Sequence, residues 1–309
     1  MSATSSTPAR SATLAGIGLM VLGIFMFAVN DVMGKWLVAT YSVGQVLLLR
    51  SAAALAILLI LMSRKGFRFT TPTQPGLHLV RIVFSTLEVA CFYWAVVYLP
   101  LADVMTYYLA GPIYVAAIAA FWLGEKLSWQ RVVTILVGFA GVLIALRPSS
   151  ATLTLPALIA LSGSLFFALL MITTRKLRET SDTTLVLGQT LGALLFGAVA
   201  APFAWVPPST LDFGLLSLLG IVAMGAHVCV NRSLKLAPAS VVAPYQYTLL
   251  VWAIVFGYFV FGDVVQIPTL VGAAVICGAG LALLLLERDK SRRQKALPPE
   301  KALAAMPEA

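Results

Sequence analysis

Arg50, Arg81 and Glu88 are ionisable residues set inside runs of apolar side chains. A charge in hydrocarbon costs about 2.5–3.5 kcal/mol on insertion scales, so such groups are kept where they pair or bind something. Seven residues separate Arg81 from Glu88, which places both on one face of a helix, two turns apart. Arg50, in the preceding run, reaches nearly the same depth as Glu88. Two readings stand. Arg50 and Glu88 form an ion pair that locks two helices together, or two guanidiniums face one carboxylate and leave a net positive site for a carboxylate or phosphate.

Other polar groups are few. Asp31 and Lys35, beside Asn30, are spaced i,i+4, which suits a helix-surface pair or a gating contact. His227 lies within an apolar run and reads as a buried hydrogen-bond partner or a proton relay. Tyr107, Tyr108, Tyr245, Tyr247 and Trp252 fall in two runs that also carry Pro112 and Pro244. Proline frees a carbonyl and permits a kink, so these aromatics either line a shared cavity or simply pack. Cys91, Cys229 and Cys277 show no CxxC or histidine spacing, so no metal site and no cofactor are expected. The chain has no HExxH, GxSxG, S-x-x-K or Walker A pattern, and an enzyme is not expected.

These groups must be positioned by an unusual scaffold. Of 309 residues, 60% are hydrophobic and 11% charged, against about 45–50% and about 25% in ordinary soluble domains. That excludes a water-soluble enzyme, a disordered chain and a fibre. The apolar runs are continuous rather than alternating, which favours helices over a strand barrel. Ten spans result, at about 13–33, 43–62, 77–98, 101–122, 130–147, 155–174, 184–203, 212–233, 238–261 and 266–286, each able to cross about 30 Å of hydrocarbon.

Basic residues set the direction. Arg10, the 64–68 cluster, Lys126, Arg131, the 175–178 cluster, Arg232, Lys235 and six tail residues fall on one side, and only Lys35 and Arg147 on the other. Both termini are therefore expected in the cytoplasm. The net charge of +9 follows these flanks, which is not the pattern of a nucleic-acid surface. Residues 1–12 read as a disordered lead without the features of a signal peptide, and 288–309 as a basic cytoplasmic tail.

The halves repeat. Phe27-Ala28 matches Phe167-Ala168, Leu99-Pro100-Leu101-Ala102 matches Leu236-Ala237-Pro238-Ala239, and Tyr107 with Gly124-Glu125 matches Tyr245 with Gly262-Asp263, all at separations of 137–140. Two five-helix repeats are expected, at 13–147 and 155–287. Five is odd, so the second half enters the membrane from the opposite side, with a site near the midplane between the halves. The expected fold is all-α integral membrane: ten transmembrane helices as two inverted-topology five-helix repeats.

The motifs Asn30-Asp31-Val32-Met33-Gly34-Lys35, Tyr108-Leu109-Ala110-Gly111-Pro112, 124–130 with its Gly-Glu-Lys opening, Gly138-Phe139-Ala140-Gly141 and Ala243-Pro244-Tyr245-Gln246-Tyr247, together with Arg50, carry a resemblance. Over about 12–287 the chain resembles the drug/metabolite transporter superfamily, in its EamA-type branch, and is similar in places to bacterial S-adenosylmethionine and riboflavin carriers. The resemblance implies a secondary transporter of the bacterial inner membrane. It would move an amino-acid-like, nucleoside-bearing or vitamin-like metabolite by alternating access, as a monomer or loose homodimer, with substrate and lipid bilayer as its partners. An integral-membrane enzyme or a scaffold without transport is the alternative.

Overall fold

The computed structural model describes residues 7–64, 70–99, 101–124, 128–146 and 154–261, with scattered positions between 267 and 285. Among them there is no strand. The helices are α1 (Thr7–Val38), α2 (Val43–Ser63), α3 (Pro75–Tyr98), α4 (Leu101–Tyr108), α5 (Gly111–Trp122), α6 (Trp129–Leu146), α7 (Leu155–Lys176), α8 (Asp182–Ala200), α9 (Thr210–Leu236), α10 (Ala239–Val242) and α11 (Thr248–Phe261). A 3-10 turn, Ala201–Ala204, prolongs α8, and another, Ala243–Tyr247, joins α10 to α11. Helix starts follow local chemistry: the Ser42, Ser181 and Ser209 hydroxyls accept from the backbone N–H of Gln45, Thr184 and Asp212.

Six helices, α1, α2, α3, α7, α8 and α9, are long and apolar enough to cross a membrane, α1 from Ala12 and α8 including its 3-10 extension. They fall on six of the expected spans. Two other expected spans are interrupted. The run 101–122 breaks between α4 and α5, and 238–261 opens as a single short helix and a 3-10 turn before α11. Pro112 and Pro244 lie at these breaks, and a proline has no N–H to continue an α-helical ladder. The span expected at 266–286 lies mostly outside the described residues, as do Glu125, Arg147, Gly262-Asp263 and the 288–309 tail.

The long helices pack chiefly as antiparallel pairs: α1 on α9, α3 on α7 and α2 on α8. Along α1, Gly16 meets Ala237, Gly23 meets Val230, and Asn30 reaches Leu219. Small residues let the backbones approach where dispersion, not hydrophobic drive, holds helices in lipid. A Cβ on Gly44 would stand 2.6 Å from the Ala200 backbone, and one on Gly220 would overlap the Arg50 carbonyl. Gly188 and Gly192, spaced as GxxxG, receive His78, Ile82 and Thr86 of α3. Large apolar side chains cover the outside: Phe121 is 93% and Phe203 87% exposed. Trp36, Trp122, Trp129 and Trp205 are exposed too. A surface of this kind suits lipid, not water.

Gly220→Ala is expected to destabilise the bundle by about 1–3 kcal/mol through overpacking. Gly18→Ala, where a Cβ meets nothing within 4 Å, should leave melting in detergent unchanged or raised. Equal melting of the two variants would contradict the close α2–α9 contact.

Candidate functional site

A buried guanidinium organises the centre. Arg50 Nη1 donates to the Tyr93 hydroxyl at 2.6 Å, Tyr93 donates to Asn30 Oδ1 at 3.2 Å, and Asn30 Nδ2 donates to the Leu219 carbonyl at 2.9 Å. This chain of bonds runs through α2, α3, α1 and α9. Two glycines make it possible. Gly34 leaves room for the Tyr93 ring, and Gly220 lets the Arg50 backbone come close.

Around it lies a cavity of about 650 Å³, part of it open to the outside, lined by Asn30, Asp31, Arg50, Glu88, Tyr93, Tyr108, His227 and Gln246 with apolar neighbours. The apolar part is aromatic. Phe27 and Phe167 meet edge to face at 6.1 Å, and Phe92 meets Tyr108 at 5.3 Å. Asp31 and Glu88 both line the cavity, and among the described residues neither carboxylate has a hydrogen bond or an ion pair.

The charge balance differs from the one read in the sequence. Arg50 turns to Tyr93, and no Arg50–Glu88 ion pair forms. Arg81 does not line the cavity. Two turns along α3 carry it about 10 Å from Glu88, into a nest of neutral acceptors. Its Nε donates to Thr174 Oγ1 at 2.8 Å, Nη1 to the Leu185 carbonyl at 3.0 Å, and Nη2 to Gln189 Oε1 and Asn231 Oδ1 at 3.0 Å each. Asp31 takes the place expected of Arg81. The cavity therefore holds two carboxylates and one guanidinium, the reverse of a net positive site. Lys35, one turn beyond Asp31, is half-buried and does not line it.

The aromatics divide unexpectedly. Of Tyr107, Tyr108, Tyr245, Tyr247 and Trp252, Tyr108 alone lines the cavity. Tyr247 donates to the Ile135 carbonyl at 3.1 Å and lies against Gly138 of α6, while Trp252 packs on Phe25 at 4.7 Å. Tyr245 is buried and Tyr107 half-buried. The 3-10 turn explains the choice. Three residues per turn send neighbours about 120° apart, so the turn that points Gln246 inward points Tyr245 and Tyr247 away.

The α4–α5 break is also satisfied locally. Pro112 cannot donate to the Tyr108 carbonyl four residues back, and Ser164 Oγ donates to it instead at 3.2 Å. The Tyr108 hydroxyl donates to the Glu88 carbonyl at 3.1 Å, in space left by Gly163. Tyr93 and Phe92 carried no sequence signal of a site. Gln246 sat within the 243–247 motif, and Phe27 and Phe167 were themselves a repeat match.

A second cavity of about 370 Å³, part of it open to the outside, lies across Arg50, Val89 and His227, lined by Ser51, Ser85, Gln189 and Thr190. His227 borders both and stacks edge-on against Phe27 at 4.9 Å. Gln189 links this chamber to Arg81. Beyond Arg81, Asp182 pairs with Lys235 at 2.6 Å and Arg232 at 3.4 Å. At the opposite end Tyr41 donates to Asp212 at 2.7 Å. No group of three His, Cys, Asp or Glu that could hold a metal occurs among the described residues.

Tyr93→Phe leaves an Arg50 N–H and Asn30 Oδ1 without their partner. Each loss is worth about 1–3 kcal/mol in a buried site, so melting in detergent should fall, and fall further than in Tyr98→Phe, where the hydroxyl is exposed. Identical melting of the two variants would remove Tyr93 from its organising role.

The family profile of EamA-like transporters matches residues 14–147 and again 154–286. The chain is 25% identical over 283 residues to an S-adenosylmethionine uptake transporter of Rickettsia felis, covering 91% of this chain and 96% of that one. It is 28% identical over 273 residues to the pseudopaline exporter CntI of Pseudomonas aeruginosa, covering 87% and 95%. A solved structure, 17% identical, superposes with a TM-score of 0.72 over 91% of this chain and 98% of the other, which shows a shared fold. The chain belongs to the EamA-like transporter family of the drug/metabolite transporter superfamily, whose relatives named here are transporters.

Proposed function

We propose that the protein is a secondary transporter of the bacterial inner membrane, with ten transmembrane helices as two inverted five-helix repeats, 13–147 and 155–287. Both termini are cytoplasmic, and a small organic metabolite crosses by alternating access. The cavity carries this reading: two carboxylates and a guanidinium, inside membrane-length helices, facing open space between aromatic rings.

The packing supports the repeat. Exchanging the halves turns the α1–α9 pair into the α7–α3 pair and leaves α2–α8 paired with itself. The repeat-related α2 and α8 run antiparallel, since Gly44 meets Ala200 while Gly197 meets Leu48. Inversion requires that. Phe27 and Phe167, at matching positions, touch across the cavity, and both interrupted helices reach it through Tyr108 and Gln246.

The cavity's chemistry suits an amino-acid-like head. A substrate carboxylate meets Arg50, cationic groups meet Asp31 and Glu88, and a flat or apolar portion lies among Phe27, Phe92, Tyr108 and Phe167. A nucleoside-bearing compound such as S-adenosylmethionine fits that description. Tyr107, Tyr245, Tyr247 and Trp252 act behind this lining by holding the interrupted helices. Gating falls to the two ends. The Arg81 nest ties α3 to α7, α8 and α9 and must open to release substrate past Gln189 and His227, while Asn30, Asp31 and Lys35 serve the other half of α1. The carrier works as a monomer or loose homodimer.

Counterflow in proteoliposomes tests the reading. Radiolabelled S-adenosylmethionine, lysine and riboflavin are offered to vesicles preloaded with the same unlabelled compound. Trans-stimulated accumulation of at least one is expected, with Arg50→Ala abolishing it while eluting as a folded protein. No trans-stimulation with any compound, or normal uptake by Arg50→Ala, would contradict the proposal.

A further inference from the structure

The lining of the main cavity does not balance its own charge. Asp31 on α1 and Glu88 on α3 face it without a hydrogen bond or ion pair among the described residues, and Arg50 on α2 is the guanidinium that faces them. Among the described residues, the other titratable groups near the two carboxylates are Tyr93 and Cys91 on α3, Tyr108 on α4 and His227 on α9, while Lys35, one turn beyond Asp31 on α1, lies outside the lining. The turn before α11 contributes the neutral Gln246, while α7 and α11 contribute Phe167 and Leu249. With both carboxylates ionised, the described lining of the cavity carries one net negative charge inside membrane-length helices. A net charge among so many apolar side chains is costly, and a bound cation or a proton relieves it.

We propose that the empty site carries one proton on the Asp31–Glu88 pair and that a substrate with one carboxylate and two cationic groups displaces it. The proposal rests on the transport reading above. The carboxylic O–H bond breaks, the proton leaves to water on the side from which substrate enters, and the substrate's second cationic group replaces it. Loaded and empty sites are then both neutral. One net positive substrate exchanges for one proton, so transport is electroneutral, follows a pH gradient and ignores membrane voltage. Removing either carboxylate removes the need for the proton, because Arg50 balances the one that remains.

The full-length protein, reconstituted in lipid, tests this by infrared spectroscopy, with L-lysine and L-arginine as probes of the stated charge and L-leucine as the comparator with one cationic group. The expected result is a protonated-carboxyl band, equal to one proton per chain, that is absent in both Asp31→Asn and Glu88→Gln. Lysine or arginine should abolish it in the unsubstituted protein, and leucine should not. Loss of the band with a matching release of protons supports the exchange. A wild-type protein without the band, a band that survives both substitutions, or one that lysine and arginine leave in place overturns it. These outcomes are separable from failure of the transport reading, which shows itself as missing trans-stimulation whatever the state of the band.

Discussion

A guanidinium held in hydrocarbon must find acceptors within the protein, and Arg50 finds one in the Tyr93 hydroxyl. Much of the bundle's centre follows from that bond. Tyr93 can stand there because Gly34 has no side chain, and Arg50 can because Gly220 admits its backbone. Asn30 passes the bond on to Leu219, so the helices of the first half are tied to α9 at the depth of the cavity. Using the tyrosine hydroxyl rather than a carboxylate has a consequence. Asp31 and Glu88 are left facing the cavity. A closed ion pair would have given a more self-sufficient centre.

Arg81 makes the contrast plain. It is as deeply buried as Arg50, yet four neutral acceptors from three helices close around it. Neutral acceptors spread over several helices hold a cation without cancelling its charge, and such a contact is lost whenever those helices separate. One arginine thus stands beside the cavity, and the other joins α3 to α7, α8 and α9 beyond it. Between them lies a chamber of hydroxyls and an amide, bordered by His227.

Much of this was legible in the sequence for physical reasons. Long uninterrupted apolar runs became long helices, because a chain in lipid must satisfy its backbone internally. Pro112 and Pro244 marked the interruptions, and Phe27 and Phe167, picked out by their spacing, meet at the cavity. What failed was direction. A depth estimate puts Arg81 two turns from Glu88 but does not say which helices close over it. The facing of consecutive residues in the 243–247 turn depends on a 3-10 geometry that composition does not reveal, so residue type alone favours the flanking tyrosines over Gln246. Tyr93 is one aromatic among many in a hydrophobic run. Its importance comes from Gly34 on another helix, a relation that exists only after folding.

The most direct test of a substrate site between the halves is an experimentally determined structure of the protein with a transported compound bound. The account predicts density beside Arg50, within reach of Asp31 and Glu88 and flanked by Phe27 and Phe167. Density confined to the lipid-facing surface, with the space around Arg50 unchanged, would contradict it.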